Sequence, residues 1–89
     1  MLDVRATSRF KKDLKKVERQ GKPMAKLAVV IEKLKEESPL EPHYRDHVLT
    51  GKYVGHSECH LAPDWLLIYK IDDGYLILVR TGSHSELFS

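Results

Sequence analysis

Cysteine is almost absent from this chain of 89 residues, in which Cys59 stands alone. A single thiol can form neither an internal disulfide framework nor a redox pair, and such sparing use of cysteine fits a reducing compartment. We therefore expect Cys59 to be a packed strand residue rather than a nucleophile.

Long apolar runs are missing as well. No stretch approaches the ~18 residues that a membrane span needs, and no charged-then-apolar leader precedes a cleavage site. These absences predict a cytoplasmic protein without membrane contact. A chain this short buries only about 60% of its unfolded surface. We expect a single domain over residues 1–89, with one core and no deep enclosed pocket.

Positive charge is unevenly distributed, although the net charge is only +2. Residues 1–30 contain nine basic and three acidic side chains, which is a net +6 and leaves −4 for the remainder. This asymmetry indicates either a polyanionic partner or a solvated helix face, and charge alone does not separate the two. The densest basic cluster is Lys11, Lys12, Lys15 and Lys16.

The N-terminal half reads as one strand and two helices. Residues 2–6 alternate apolar and polar side chains, as a half-buried strand does. Thr7 or Ser8 can cap a helix that ends at Gly21, and a second amphipathic helix follows. Pro39 and Pro42 stop any continuation of the second helix, so we expect residues 38–50 to form a loop.

The C-terminal half reads as strands. Residues 51–61 form the least regular of them, whereas 65–71 is a continuous apolar run typical of a central strand. Asp73 and Gly74 give the strongest short signal for a hairpin turn, which residues 75–80 complete.

The predicted order is β-α-α-β-β-β, an α+β fold with two N-terminal helices packed on one side of an antiparallel sheet. After the last strand, Ser83 can cap a short C-terminal turn or helix.

Histidine is the most frequent candidate for chemistry, with five in the chain. His43 and His47 lie four residues apart, as do His56 and His60, and Glu58 lies between the second pair. Zinc chelation is the alternative that this spacing allows. The first pair lies in a proline-bordered loop and no HExxH motif is present, so we expect neither a metal site nor a cofactor.

A metal-free acid–base site is the sharper hypothesis. His47, His60, Asp64 and His84 are all predicted at strand ends or in adjoining loops, and a pair of histidines can supply both an acid and a base near neutral pH. Arg80 can hold a phosphate with its forked donors. Together with a basic helix, these groups meet the needs of RNA cleavage without a metal.

Each of these side chains also has a structural alternative. Trp65 is better explained as a core residue than as a platform for base stacking. Arg80 could simply pair with Asp64 or Asp72. Phe88 must either dock on the sheet or stay exposed, where it could stack on a nucleobase.

Three motifs in order resemble the YafQ branch of the RelE/ParE toxin superfamily. They are Asp46-His47 followed by Gly51, then Glu58 to Tyr69 (ECHLAPDWLLIY), then Arg80 to Phe88 (RTGSHSELF). The resemblance covers the whole chain in length and element order, and the last 45 residues in detail. It implies a RelE-like fold and a toxin of a type II toxin–antitoxin system.

Members of that branch bind the ribosomal A site and cleave translated mRNA without a metal. The 2′-hydroxyl attacks and leaves a 2′,3′-cyclic phosphate. The resemblance implies the same endoribonuclease activity here, with ribosome, mRNA and a cognate antitoxin as partners. The family's functional positions fall on His47, His60, Asp64, His84 and Phe88, with Arg80 as a phosphate contact.

Of these residues, we expect His84 to be a general acid or base, with His60 and Asp64 as its counterpart. Which histidine takes which role stays open. The basic helix carrying Lys11, Lys12, Lys15 and Lys16 is expected to dock on ribosomal RNA, or on an acidic stretch of the antitoxin. Two rival hypotheses are a ParE-like toxin that acts on a protein target and a non-catalytic RNA-binding regulator.

Overall fold

Five strands and three α-helices make up the fold in the computed structural model, which describes residues 1–88. The helices are α1 (Ser8–Arg19), α2 (Met24–Lys35) and α3 (His84–Phe88), and the strands are β1 (Asp3–Ala6), β2 (His47–Val48), β3 (Ser57–Ala62), β4 (Trp65–Asp72) and β5 (Tyr75–Gly82). Two short 3-10 helices, Pro42–Tyr44 and Gly51–Tyr53, lie in the connection between α2 and β3. The predicted α+β class and the two N-terminal helices are confirmed.

The sheet has the strand order β1-β5-β4-β3-β2. The strand expected over residues 51–61 begins only at Ser57, because Gly51–Tyr53 form a 3-10 helix. The sheet differs from the prediction in two further ways. β1 runs parallel to β5, with Asp3 opposite Tyr75 and Ala6 opposite Leu78, so the sheet is mixed. A parallel pair needs a long crossover, and both helices and three strands lie between its members. The second difference is β2, whose two residues lie within the predicted loop 38–50 and are too short to show a sequence period.

Helix α1 is fixed at both ends by the residues that its sequence indicates. The Thr7 hydroxyl accepts a hydrogen bond from the Phe10 N–H (3.0 Å) and donates one to the Val79 carbonyl (2.8 Å), so the N-cap also anchors the helix to β5. Gly21 takes a φ of +78° just past the helix, where residues with a Cβ are disfavoured. Both predicted helix boundaries are confirmed.

The main core lies between the two long helices and one face of the sheet. Its largest member is Trp65, whose indole N–H donates to the Thr81 hydroxyl (2.9 Å), and that hydroxyl donates to the Leu66 carbonyl (2.7 Å). Cys59 is fully buried in the same core, and burial raises the pKa of its thiol to about 12. The expectations that Trp65 and Cys59 are packed core residues are confirmed.

The hairpin of β4 and β5 turns at Asp73 and Gly74, which have φ values of 49° and 80°. Two successive positive φ angles define the tight turn that suits the twist of paired strands. Nearer the other end of β5 the register shifts, because Ile68 pairs with Arg80 whereas Tyr69 pairs with Leu78. The extra residue, Val79, forms a bulge that bends β5 just before Arg80.

A second, smaller core covers the opposite face of the sheet. Leu66 and Ile68 of β4 pack there against Leu87 of α3, with Leu49 and Tyr53 partly buried around them. One short helix and one irregular connection therefore cover this face. We call its apolar centre, Leu66 and Ile68, the floor, and the polar side chains of this face lie around it. Within residues 1–88, no helix has the length and apolar character to cross a membrane.

Candidate active site

Three of the predicted site residues, His47, His60 and Arg80, lie in two neighbouring rows on the face of the sheet that carries Leu66 and Ile68. One row across β2, β3, β4 and β5 is His47, Glu58, Ile68 and Arg80, and the next is His60, Leu66 and Gly82. Directly paired residues project to the same face. Strands lie ~4.8 Å apart, so the backbones of Glu58 and Arg80 are about 10 Å apart across the floor of Leu66 and Ile68.

On one side of the floor, two histidines flank a buried carboxylate. His60 Nε2 lies 3.5 Å from one oxygen of Glu58, and His47 Nε2 lies 3.7 Å from the other. The two rings are 6.3 Å apart between centroids. Glu58 is only 4% exposed, so these imidazoles are its main polar surroundings. His47 Nδ1 lies 2.7 Å from the Arg45 carbonyl, which fixes the proton on Nδ1 in the neutral ring and leaves Nε2 facing the carboxylate.

At the end of the sheet where β3 turns into β4, Asp64 and Ser83 hold the start of α3. Asp64 Oδ1 accepts a hydrogen bond from the backbone N–H of His84 (3.1 Å). The Ser83 hydroxyl accepts from the Glu86 N–H (3.2 Å), and Glu86 Oε1 accepts from the Ser83 N–H (2.8 Å), which together form a capping box. The predicted Ser83 cap is confirmed. Asp64 contacts the backbone of His84, and the carboxylate beside His60 is Glu58.

Aromatic rings line the same end. The His84 ring lies 4.9 Å from that of Phe88 between centroids, and Phe88 meets Tyr53 edge to face at 5.6 Å. Phe88 keeps 38% of its surface exposed. Phe88 is therefore docked against Tyr53 and His84 and is also partly exposed, and its exposed surface is available for stacking on another ring.

Arg80 is paired with Asp13, a residue that the sequence analysis did not assign to the site. Arg80 Nε donates to Asp13 Oδ2 (2.6 Å), a terminal guanidinium nitrogen donates to Oδ1 (3.0 Å), and the Thr81 N–H also donates to Oδ2 (3.2 Å). The Asp13 hydrogen bond raises the pKa of Arg80, against the opposing effect of burial, and Tyr53 adds to the rise. The expected partners Asp64 and Asp72 were wrong as pairing candidates. Asp13 lies three residues after Phe10 and four before Val17, on the buried stripe of α1, and that position was the available signal.

Of the four lysines on α1, Lys11, Lys12 and Lys15 are exposed, and Lys16 bonds to Glu86. The Lys16 ammonium lies 2.5 Å from Glu86 Oε2. This hydrogen bond, followed by the Ser83 backbone N–H, lowers the pKa of Glu86 to about 2. The basic surface of α1 is thus tied to the short helix that carries His84 and Phe88.

Metal coordination needs several ligands around one point. In the part of the chain that the structure describes, residues 1–88, no group of three or more His, Cys, Asp or Glu side chains is arranged to hold a metal ion. The side chains gathered at the site are acid–base, cationic and aromatic groups.

A mixed sheet of this strand order with two helices packed on one face is a RelE-like fold. The chain matches, over residues 2–89, the family described as "Bacterial toxin of type II toxin-antitoxin system, YafQ". It belongs to that family, and the predicted resemblance is confirmed.

Relatives match over nearly the whole chain. The mRNA interferase toxin YafQ of Escherichia coli K12 is 38% identical over 87 residues, covering 97% of this chain and 95% of that protein. A copper-bound mutant toxin from Helicobacter pylori is 43% identical, with a TM-score of 0.95 and coverage of 99% and 100%. YafQ in the E. coli DinJ-YafQ toxin-antitoxin complex is 37% identical, with a TM-score of 0.90 and coverage of 99% and 98%.

Proposed function

We propose that this protein is an mRNA interferase, an endoribonuclease toxin that cleaves translated mRNA in the ribosomal A site and so inhibits translation. The observation that carries the proposal is the placement of His47, His60, Arg80 and His84 around one floor of the sheet. The family membership and the name of the E. coli relative, mRNA interferase toxin, support the same activity.

RNA cleavage by this route needs one proton removed and one supplied. A base takes the proton of the 2′-hydroxyl, whose oxygen attacks the adjacent phosphorus. The bond from phosphorus to the 5′-oxygen breaks, an acid protonates that oxygen, and a 2′,3′-cyclic phosphate remains. The His47 and His60 rings beside Glu58 (the histidine pair) lie on the β2–β3 side of the floor, and His84 begins α3, whose Leu87 packs on that floor. We propose that the phosphate sits between them, with the base on one side and the acid on the other.

Arg80 is suited to stabilise the phosphorane charge. A guanidinium has five N–H donors, and Asp13 engages two of its nitrogen atoms while leaving donors free. Because Asp13 also bonds the Thr81 N–H, it fixes the guanidinium relative to β5. Pre-aimed donors stabilise developing charge without reorganisation during the reaction. Phe88, partly exposed beside His84, is placed to stack on a nucleobase.

The partners follow from charge and from the relatives. Exposed Lys11, Lys12 and Lys15 form a basic surface for ribosomal RNA, where phosphate contacts dominate affinity. A toxin–antitoxin complex is known for the E. coli relative, and we propose a cognate antitoxin that competes for the basic surface of α1. Both complexes should weaken with added salt. An activity on translating ribosomes places the protein in the cytoplasm.

The reaction that we propose needs no metal, because imidazole and guanidinium groups can supply both proton transfers and charge stabilisation. The H. pylori relative is a copper-bound toxin, so this point requires its own test. The protein is treated with a chelator selective for transition metals and desalted, then added to ribosomes kept in Mg²⁺. Unchanged cleavage is expected, and a loss that added copper or zinc restores would contradict it.

The activity is tested by inducing the protein in cells and mapping mRNA 5′ ends. New ends in phase with codons are expected for the unsubstituted protein and not for His84→Ala. Asp64→Ala should also lose them, whereas Asp64→Asn, which keeps an acceptor for the His84 N–H, separates the role of the charge from the anchoring of α3.

Lys70→Ala, at the far end of β4, serves as the control and should cleave normally. Circular dichroism of each purified variant excludes unfolding. Growth arrest with intact mRNA would instead favour a protein target, and RNA binding without new ends would favour a regulator.

A further inference from the structure

A cleft of about 430 Å³ opens beside the histidine pair and has no role in the chemistry described above. We call it the edge cleft. His60 and Leu61 of β3 line one side, and Pro63 follows them. Lys26 of α2 lines another side, with His43 and Arg45 from the connection before β2. Its volume is within the range of about 300–1,000 Å³ that small-molecule sites occupy.

The two permanent charges that line the edge cleft, Lys26 and Arg45, are both positive. Its residues include Lys26 and Arg45 and two histidines, and no carboxylate lines it. Among the lysine and arginine side chains of residues 1–88, ion pairs engage Lys16, Lys33 and Arg80, and neither Lys26 nor Arg45 takes part in one. His60, which also lines the cleft, lies beside Glu58. Two permanent cations that share a concave wall without an internal counterion attract an anion from outside.

The edge cleft is physically joined to the histidine pair. His60 belongs to both, because it lines the cleft and also lies beside Glu58. Arg45 takes a left-handed backbone conformation (φ 51°, ψ 44°), which is unfavourable for a residue with a Cβ. In that conformation its side chain lines the cleft while its carbonyl bonds to His47 Nδ1. A ligand held by the Arg45 side chain is therefore close to the His47 ring, which the Arg45 carbonyl contacts and which we place in catalysis.

The backbone of β3 offers further hydrogen-bonding groups there. β2 pairs only with Ser57 and Glu58, so the outer edge of β3 from His60 to Ala62 has no strand partner within residues 1–88. An open strand edge presents free N–H and C=O groups. Together with the apolar wall of Leu61 and Pro63, the edge cleft combines cations, backbone donors and a surface for a sugar or base.

We propose that the edge cleft binds the RNA nucleotide next to the cleavage position, with Lys26 and Arg45 on its phosphate. This inference rests on the proposed function. RNA is favoured over an acidic peptide because the cleft shares His60 with the site, so a strand seated between the histidine pair and His84 passes directly into it. The open edge of β3, three residues long, is also short for pairing with a peptide strand.

The test is a titration of the isotope-labelled protein, followed by NMR, with adenosine 3′,5′-bisphosphate, inorganic phosphate and adenosine. The two phosphate compounds should shift the amide signals of Arg45, Leu61 and Ala62, and the bisphosphate should bind more tightly than phosphate alone. Adenosine without phosphate should produce little shift. The Lys26→Ala/Arg45→Ala double variant should bind the bisphosphate on the order of tenfold more weakly, because two solvent-exposed charge contacts are lost.

Lys35→Ala/Lys70→Ala removes the same charge at other positions and is the matched control, expected to stay within about twofold of the unsubstituted protein. On ribosomes carrying mRNA, the Lys26/Arg45 variant should need on the order of tenfold more protein for half-maximal cleavage.

Three results would overturn the inference. They are equal affinities in the two double variants, shifts that map elsewhere, and loss of antitoxin affinity with nucleotide binding intact. Failure of the proposed function looks different, since the unsubstituted protein would then cut no translated mRNA whatever its cleft binds.

Discussion

The ion pair between Asp13 and Arg80 gives the most exacting test of the site's construction. The two side chains are only 10% and 13% exposed, and Asp13 accepts three hydrogen bonds, two from the guanidinium and one from the Thr81 N–H. Removing one member of a buried ion pair costs about 3–5 kcal/mol, because the other charge is left without a partner. Some water still reaches this pair, so we expect Asp13→Ala to lose about 3 kcal/mol, at the low end of that range.

Unfolding by heat and by urea measures this loss. A domain of this size loses ~4–8 °C per kcal/mol, so Tm should fall by about 12–24 °C. With a slope of ~1–3 kcal/mol/M, the urea midpoint should fall by about 1–3 M. A double-mutant cycle with Arg80→Met isolates the coupling between the two side chains. Asp13→Leu combined with Arg80→Met should recover most of the stability, because no unpaired charge remains.

The same pair aims Arg80 at the floor of the site. Asp13→Ala should therefore cleave mRNA more slowly even at a temperature where it is fully folded. A loss below 1 kcal/mol, or a coupling energy near zero, would refute the argument that Asp13 holds Arg80 in place.

Three further predictions concern other parts of the chain. Gly74→Ala, at a φ of +80°, should lose about 1–2 kcal/mol in urea unfolding but keep full activity per folded molecule, because the turn lies at the opposite end of the hairpin from the site. The pKa of Glu86 is about 2 in the folded protein and 4.5 ordinarily, so its stabilisation is complete above pH 4.5 and is lost as the pH falls toward 2. Glu86→Gln should accordingly flatten the acid limb of the stability curve over that interval, and an unchanged limb would count against the Lys16 contact. The Cys59 thiol, buried with a pKa of about 12, should resist a thiol reagent at pH 8 until urea unfolds the protein.

Local sequence patterns predict the helix ends and the hairpin turn of this fold. The cap at Thr7, the glycine after α1 and the Asp73-Gly74 turn each act within a few residues, and each appears as predicted. The central strand is equally clear, because burial on both faces requires apolar side chains in succession from Trp65 to Tyr69, whereas Ile71 at the end of the predicted run is 49% exposed.

The rest depends on contacts between distant segments. Arg80 and Asp13 are 67 residues apart, so no local pattern joins them. β1 pairs with β5 rather than with its neighbour in sequence, and an isolated alternating strand does not show its partner. Glu58 lies between His56 and His60 in the sequence, but its pairing with His47 depends on the two-residue strand β2, which is too short to show a sequence period.

The parallel pairing of β1 with β5 also bears on how a new molecule becomes active. Thr7 bonds to Val79 across 72 residues of chain, and α1, which supplies Asp13 to Arg80, is held there by that contact. Folds that depend on such distant pairings acquire structure slowly, because loop-closure entropy must be overcome before the contacts form. A newly made polypeptide of this kind therefore passes through an interval in which α1 is not yet docked on β5, Asp13 is not yet bonded to Arg80 and the site is not assembled.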